Sequence, residues 1–286
     1  MGRPRQNDKV VLPDYSEGIQ IKTEDADARF SNALARGLAL LRAFQIDRQL
    51  LGNLELAQIT GLARPTVSRL SYTLTQLGYL RYREEFGKYE LAAGVVGLAY
   101  PFLAKQAVPP IARPLMVEMA LKTKTNVGLG VQEDLSVFYL EYALGEVNPN
   151  RLQRAGFRVP VARTAMGRAC IAGMRAEQRE RLYEHMRAYY KGEWPALRRQ
   201  LDEAVSQVQI DGYCIAAGTF NATTNTVAVP FVHGDGHTLM AFNSQGHAQR
   251  QTPEVMARNG KRLIELAQEV RRRLAEAPPG PSLGHH

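Results

Sequence analysis

Cysteine is scarce in this 286-residue chain, which contains only Cys170 and Cys214. Two thiols so far apart cannot build a disulfide framework or supply a zinc-ligand set, so a reducing compartment and no metal centre are expected. Long apolar runs are missing too. No stretch approaches the roughly 18 uninterrupted apolar residues of a membrane-spanning helix, and the opening MGRPRQNDKV lacks the apolar core of a signal peptide. A soluble, cytoplasmic protein with no membrane association is the expectation. Strong charge asymmetry is lacking as well. A formal charge of +8 suits a polyanionic partner but falls well short of a purely electrostatic nucleic-acid binder.

What is present is enough apolar material, 45% of residues, for two globular domains. Residues 1–29 mix Arg3, Arg5 and Lys9 with Pro4, Pro13 and the acidic Glu24, Asp25 and Asp27 without periodicity, and read as a flexible tail. Residues 276–286, ending APPGPSLGHH, read as a second disordered tail, whose terminal His pair is set aside rather than taken as a metal site.

Residues 30–91 carry a compact pattern. Leu34, Leu38, Leu41 and Phe44 recur at the three- and four-residue spacing of a buried helix face. Leu54 to Thr60 predicts a second helix, Gly61-Leu62 a tight turn, and Pro65 to Leu77 a third helix with Val67, Leu70, Leu74 and Leu77 facing inward, stopped by Gly78. Tyr79–Arg83 and Lys88–Leu91 then read as strands around Glu84-Glu85-Phe86-Gly87. Three helices and a hairpin in this order form a winged helix-turn-helix. Leu91 to Ala104 resumes a helical pattern, so a linker helix is expected over 92–108.

Residues 109–275 mix types. Helices are predicted near 110–122, 164–172, 176–190, 195–210 and Pro253–Leu274, and strands near 127–131, 137–146, 213–220, 226–232 and 238–243. Short connections such as His233-Gly234-Asp235-Gly236 favour an antiparallel sheet flanked by helices, the α+β class.

The second helix of a helix-turn-helix pair enters the major groove, so its exposed positions should be polar or basic. Arg64, Thr66, Ser68, Arg69, Tyr72, Thr73 and Gln76 are left outward by the helical repeat. Arg69 is the best base-reading candidate, because a guanidinium bonds two guanine acceptors at once. Thr66 and Ser68 suit phosphate or mixed contacts, and Arg81, Arg83 and Lys88 on the wing could reach backbone or minor groove. The plainer alternatives are a surface salt bridge for Arg69 and a solvated hairpin whose Glu84 and Glu85 cancel the wing's charge.

The runs LALLRAF, LELAQITGLARPTVSRLSYTLTQLGYLRYREEFGKYEL and GRACIAG resemble the IclR family of bacterial transcription regulators over about residues 30–275. The resemblance implies a winged helix-turn-helix joined by the linker helix to a GAF-like effector-binding domain that also mediates oligomerisation. It further implies a homodimer or homotetramer on a palindromic operator in double-stranded DNA, and a small organic or aromatic acid as effector. No catalytic residue and no cofactor is implied.

The family's signature at the pocket mouth falls on Gly156, Val159, Pro160 and Arg163–Ala169. Within it, Thr164, Ala165, Met166 and Gly167 are the ligand candidates, since N–H groups at a helix start can hold a carboxylate. An ordinary N-cap by Thr164 is the alternative. By the same resemblance Thr226, Asn243 and Gln245 would line the cavity. Many relatives carry acidic residues after the position of Tyr213, where this chain reads CIAAGTFNATTN, so a more apolar or differently substituted effector is expected. Two other readings remain open here: an enzyme using Cys170 or Cys214 with His185, His233 or His237, and a DNA-binding regulator whose C-terminal domain only dimerises.

Overall fold

The structure, a computed structural model, describes residues 29–45, 48–145, 154–232 and 238–277. Residues 1–28 and 278–286, expected from sequence as tails, and 233–237, expected as a turn, lie outside the described residues. The chain divides after residue 107 into two compact units.

The first unit opens with α1 (Asn32–Arg42), whose start is capped by Ser31 Oγ accepting from the Leu34 N–H at 3.4 Å. Its buried face is only partly the expected one. Phe44 packs inward and Leu41 is half-buried, but Leu34 and Leu38 stand 63% and 42% exposed, while Gly37, Leu40 and Ala43 are buried. Two stripes at helical spacing lie side by side here, and the one containing Leu40 and Ala43 is the one buried in the core. Helix α2 (Asn53–Thr60) begins where the Gly52 N–H donates to Glu55 Oε2 at 2.6 Å and ends at Gly61, whose φ of 69° favours glycine.

Helix α3 (Arg64–Gln76) starts one residue before Pro65. Val67 and Leu74 are buried and Leu70 is half-buried, as expected, but Leu77 is 62% exposed because the helix has already ended. Ser71, fully buried, shares the inner face with Val67 and Leu74 instead. The hairpin β1 (Leu80–Arg83) and β2 (Lys88–Leu91) follows directly, and Leu51 bridges to it by exchanging backbone bonds with Tyr89 at 3.0 and 2.9 Å. The core gathers Leu40, Phe44, Leu51, Leu56, Val67, Leu74 and Leu80. Helix α4 (Gly94–Ala104), with Pro101 inside it, closes the unit and buries none of its residues.

The second unit is built on one sheet of six strands, each antiparallel to its neighbours. Its order is β5 (Arg158–Pro160), β4 (Ser136–Ala143), β3 (Asn126–Glu133), β8 (Leu239–His247), β7 (Thr224–Val232), β6 (Cys214–Ala217). Helices α5 (Val108–Thr123) and α9 (Pro253–Glu276) cover one face, meeting Val127, Leu129, Val229, Phe231 and Phe242. Helices α6 (Ala165–Ala172), α7 (Ala176–Tyr190) and α8 (Trp194–Asp211) cover the other, meeting Val137, Tyr139, Cys214, Ala228 and Ala241. Side chains alternate along a strand, so Ala241 and Asn243 face α6 while Met240 and Phe242 face α5 and α9. The fold is α+β, an N-terminal winged helix-turn-helix followed by a curled antiparallel sheet with helices on both faces. Strand β5 is additional to the strands expected from sequence, and β8 runs four residues beyond its predicted end.

Candidate DNA interface and effector cavity

On α3 the exposed strip comprises Arg64, Ser68, Arg69, Tyr72, Thr73 and Gln76, with Thr66 half-buried beside it. The Thr73 hydroxyl donates back to the Arg69 carbonyl at 3.0 Å. Arg64 and Arg69 carry no ion-pair partner among the described residues, so both guanidinium groups stand ready for an external anion or base edge.

The wing differs. Arg83 meets Glu85 at 2.8 Å and Glu90 at 3.5 Å, Arg81 meets Glu90 at 3.6 Å, and Lys88 reaches Glu55 at 2.7 Å. The Lys88 ammonium, aided by the Gly52 N–H, holds the Glu55 carboxyl below its ordinary range. All three wing cations therefore face carboxylates of their own unit. Exposed pairs of this kind are weak, so a phosphate can displace them, but the local field is close to neutral.

In the second unit a cavity opens between the α6 start and the sheet. Thr164, Ala165 and Met166 form one wall; Tyr139, Thr226, Asn243 and Gln245 form the other. Val159, Ala216, Thr219, Phe220, Asn221 and Thr224 complete it. Gly167, the remaining ligand candidate, does not line it. A Cβ there would collide with the Val161 backbone, so this glycine permits the close packing of α6 on the preceding strand segment. The Thr164 hydroxyl donates to the Pro160 carbonyl at 2.9 Å and accepts from the Gly167 N–H at 3.2 Å, so it is an N-cap that also faces the cavity. The cap satisfies one of the N–H groups that a helix start leaves outside its own ladder.

On the sheet side, Asn243 Nδ2 donates to the Tyr139 hydroxyl at 3.1 Å and Gln245 Nε2 to the Tyr142 hydroxyl at 2.6 Å. The two tyrosine rings meet edge-on, 5.4 Å between centroids. Gly128 leaves room for this cluster: a side chain there would strike Tyr139 and Asn243 Oδ1. Sequence reasoning missed Tyr139, Thr224 and the 219–221 segment. Alternation from Thr226 would have placed Thr224 on the same face, whereas a bulge between Leu129 and Gly130 breaks the register that leads to Tyr139.

The thiols are poor nucleophiles. Cys170 and Cys214 are buried on this same side of the sheet, and burial pushes the Cys214 thiol up to about 12 and that of Cys170 higher still. The Cys214 thiol donates to the Ala165 carbonyl at 3.5 Å, and His185 pairs with Asp134 at 3.0 Å. His233 and His237 lie outside the described residues.

The family model for the IclR helix-turn-helix domain matches residues 33–84, and that for the bacterial transcriptional regulator IclR C-terminal domain matches residues 101–272. The chain belongs to the IclR family. It is a DNA-binding transcription regulator and not an enzyme. The IclR-family chain is 29% identical over 255 residues to the HTH-type transcriptional regulator TsaQ1/TsaQ2 of Comamonas testosteroni, covering 87% of this chain and 90% of that protein. It is 27% identical to the p-hydroxybenzoate hydroxylase transcriptional activator of Acinetobacter baylyi, covering 86% and 90% respectively. The crystal structure of an IclR-family transcriptional regulator from Brucella abortus superposes with a TM-score of 0.75 at 36% identity, covering 92% of this chain and 98% of that one. An IclR homolog from Microbacterium hydrocarbonoxydans, solved in complex with 4-hydroxybenzoate, shares the fold with a TM-score of 0.65 at 22% identity, over 86% and 100% of the chains. Among the described residues of this regulator no helix is long and apolar enough to cross a membrane.

Proposed function

We propose that this regulator acts in the cytoplasm as a homodimer or homotetramer on a palindromic operator. A small organic acid, aromatic in the first instance, controls it by binding residues 109–275. In this reading α3 lies in the major groove, with Arg69 at a guanine edge and Arg64, Thr66, Ser68 and Thr73 at phosphates or mixed contacts. The observation that carries it is the pairing of two features: an exposed α3 strip with unengaged guanidinium groups, and a helix-start cavity walled by neutral polar side chains. Relatives named for p-hydroxybenzoate and Pca regulons support a catabolic operon and an aromatic effector.

The oligomer rests on α4. Its sequence GVVGLAYPFLA has no charged residue, and Val96, Leu98, Tyr100, Phe102 and Leu103 are all exposed in the single chain. An apolar surface that large, running round the helix, calls for a cover, and a second copy of the same helix supplies part of one by two-fold symmetry.

Footprinting on the promoter region beside the protein's own gene tests the groove assignment: Arg69→Ala should weaken the protection that wild type gives, and unchanged protection overturns the assignment. A thermal-shift screen of organic acids tests the effector assignment, because a compound selective for the native state raises the melting temperature. If no acid does so, the C-terminal unit serves assembly alone.

A further inference from the structure

The cavity's lining contains no Lys, Arg, His, Asp or Glu among the described residues. The two cations nearest the α6 start in sequence are engaged elsewhere. Arg163 pairs with Glu193 at 2.9 Å and lies over the Tyr190 ring, and Arg168 is buried beneath α6, bonded to Gln200 and directed at the Ala162 carbonyl. Whatever negative charge enters this cavity meets only the N–H groups and positive end of α6, about half an elementary charge. One carboxylate can be accommodated that way. A second would be desolvated with nothing to pair it.

The opposite wall adds a specific demand. Asn243 is 2% exposed, and its Oδ1 is a buried acceptor with no hydrogen-bond partner among the described residues. Its Nδ2 is held by Tyr139, so one end of the amide is satisfied and the other is not. Rotating the amide only exchanges which end is orphaned, donor for acceptor. A hydroxyl group complements either end, because it both gives and takes a hydrogen bond. An orphaned polar atom beside a cavity is a place where a ligand atom belongs.

Resting on the effector reading above, we propose that this cavity selects hydroxylated monocarboxylic acids: the single carboxylate lies at the Thr164–Met166 helix start and the hydroxyl bonds to Asn243. Dicarboxylic acids are excluded. Asn243 is then the specificity-determining residue, and Gly128 keeps the space that its amide occupies.

The test is calorimetric titration of the full chain with benzoate, 3- and 4-hydroxybenzoate, 4-methylbenzoate and terephthalate. A hydroxybenzoate should bind roughly three- to tenfold more tightly than benzoate or 4-methylbenzoate, the range of one net hydrogen bond. Terephthalate should bind on the order of a hundredfold more weakly than benzoate, or not at all. Asn243→Ala should remove the hydroxyl preference, so that the hydroxybenzoates bind no more tightly than benzoate to the same variant. Should that variant misfold, the wild-type series alone decides the question. Equal binding of benzoate and both hydroxybenzoates, or terephthalate binding as well as benzoate, overturns this inference and leaves the effector site standing. If no member binds, the inference is overturned too. The effector reading itself falls only if a wider library of aliphatic acids and neutral aromatics also fails to raise the melting temperature.

Discussion

Arg69 and Arg83 carry the same charge and stand on the same unit, yet they should behave differently on DNA. Arg69 has no carboxylate partner among the described residues, whereas Arg83 faces Glu85 and Glu90. In a fluorescence-anisotropy titration, Arg69→Ala should cost about 1–3 kcal/mol and relax base preference at one operator position. Arg83→Ala should change affinity less and leave base preference as it is, since Arg83 is engaged by Glu85 and Glu90 and at most reaches phosphate, so its loss only makes the wing one charge more negative. Equal losses for both variants would remove the distinction between groove helix and wing. Glycines make a second residue-scale case. Gly167→Ala inserts a Cβ against the Val161 backbone, which has no flexible end to yield. A loss of about 1–3 kcal/mol is expected, read as a fall in melting temperature of several degrees. Alanine there with unchanged stability would mean that α6 packs more loosely against Val161 than a collision requires.

The buried thiols give a pH dependence whose sign can be worked out. Cys214 titrates near 9.0 when unfolded and at about 12 in the fold, so the native state holds its proton more tightly. Its contribution to stability is full below pH 9 and falls as pH rises from 9 toward 12, where the unfolded thiol ionises first. Chemical denaturation at rising pH should therefore show a steeper decline for wild type than for Cys214→Ala. At neutral pH a thiol reagent should leave both cysteines unmodified until the unit opens.

At the scale of elements, how much was legible depended on whether one pattern stood alone. The winged helix-turn-helix was readable because Val67, Leu70 and Leu74 on α3, the Gly61 stop and the hairpin all agree. Helix α1 departs in one respect: Leu34 and Leu38 compete with Gly37, Leu40 and Ala43 for the inner face, and residue size alone favours the stripe that stays exposed. Strand β5 is three residues long and has no room for alternation. The polar end of β8, Asn243-Ser244-Gln245, looks like a loop by composition and is buried because its side chains bond Tyr139, Thr125 and Tyr142. Its inward placement came from family resemblance, not periodicity. Helix α4 is the element whose composition outruns its burial. If a second copy covers it, Leu98→Glu should convert the oligomer to monomer in sedimentation equilibrium and weaken operator binding with it. A variant that stays oligomeric would assign the interface to another surface.

For the whole molecule, control requires more than two occupied sites. An effector shifts DNA binding only by its difference in affinity for the DNA-competent and DNA-incompetent arrangements, however tightly it binds either. The coupling is reciprocal at equilibrium: if an acid changes operator affinity by some factor, operator DNA must change the affinity for that acid by the same factor. A typical coupling of about 1–3 kcal/mol is a factor of roughly 5 to 150, well within reach of titration. Using 4-hydroxybenzoate as probe, the operator dissociation constant is measured with and without saturating acid, and the acid's constant with and without saturating operator duplex. Both must be read at one salt concentration, because phosphate contacts make the DNA term steeply salt-dependent. The two ratios should agree and differ from one. Should the acid bind with the same affinity whether or not DNA is present, the cavity and the groove helix belong to one chain without being coupled through it.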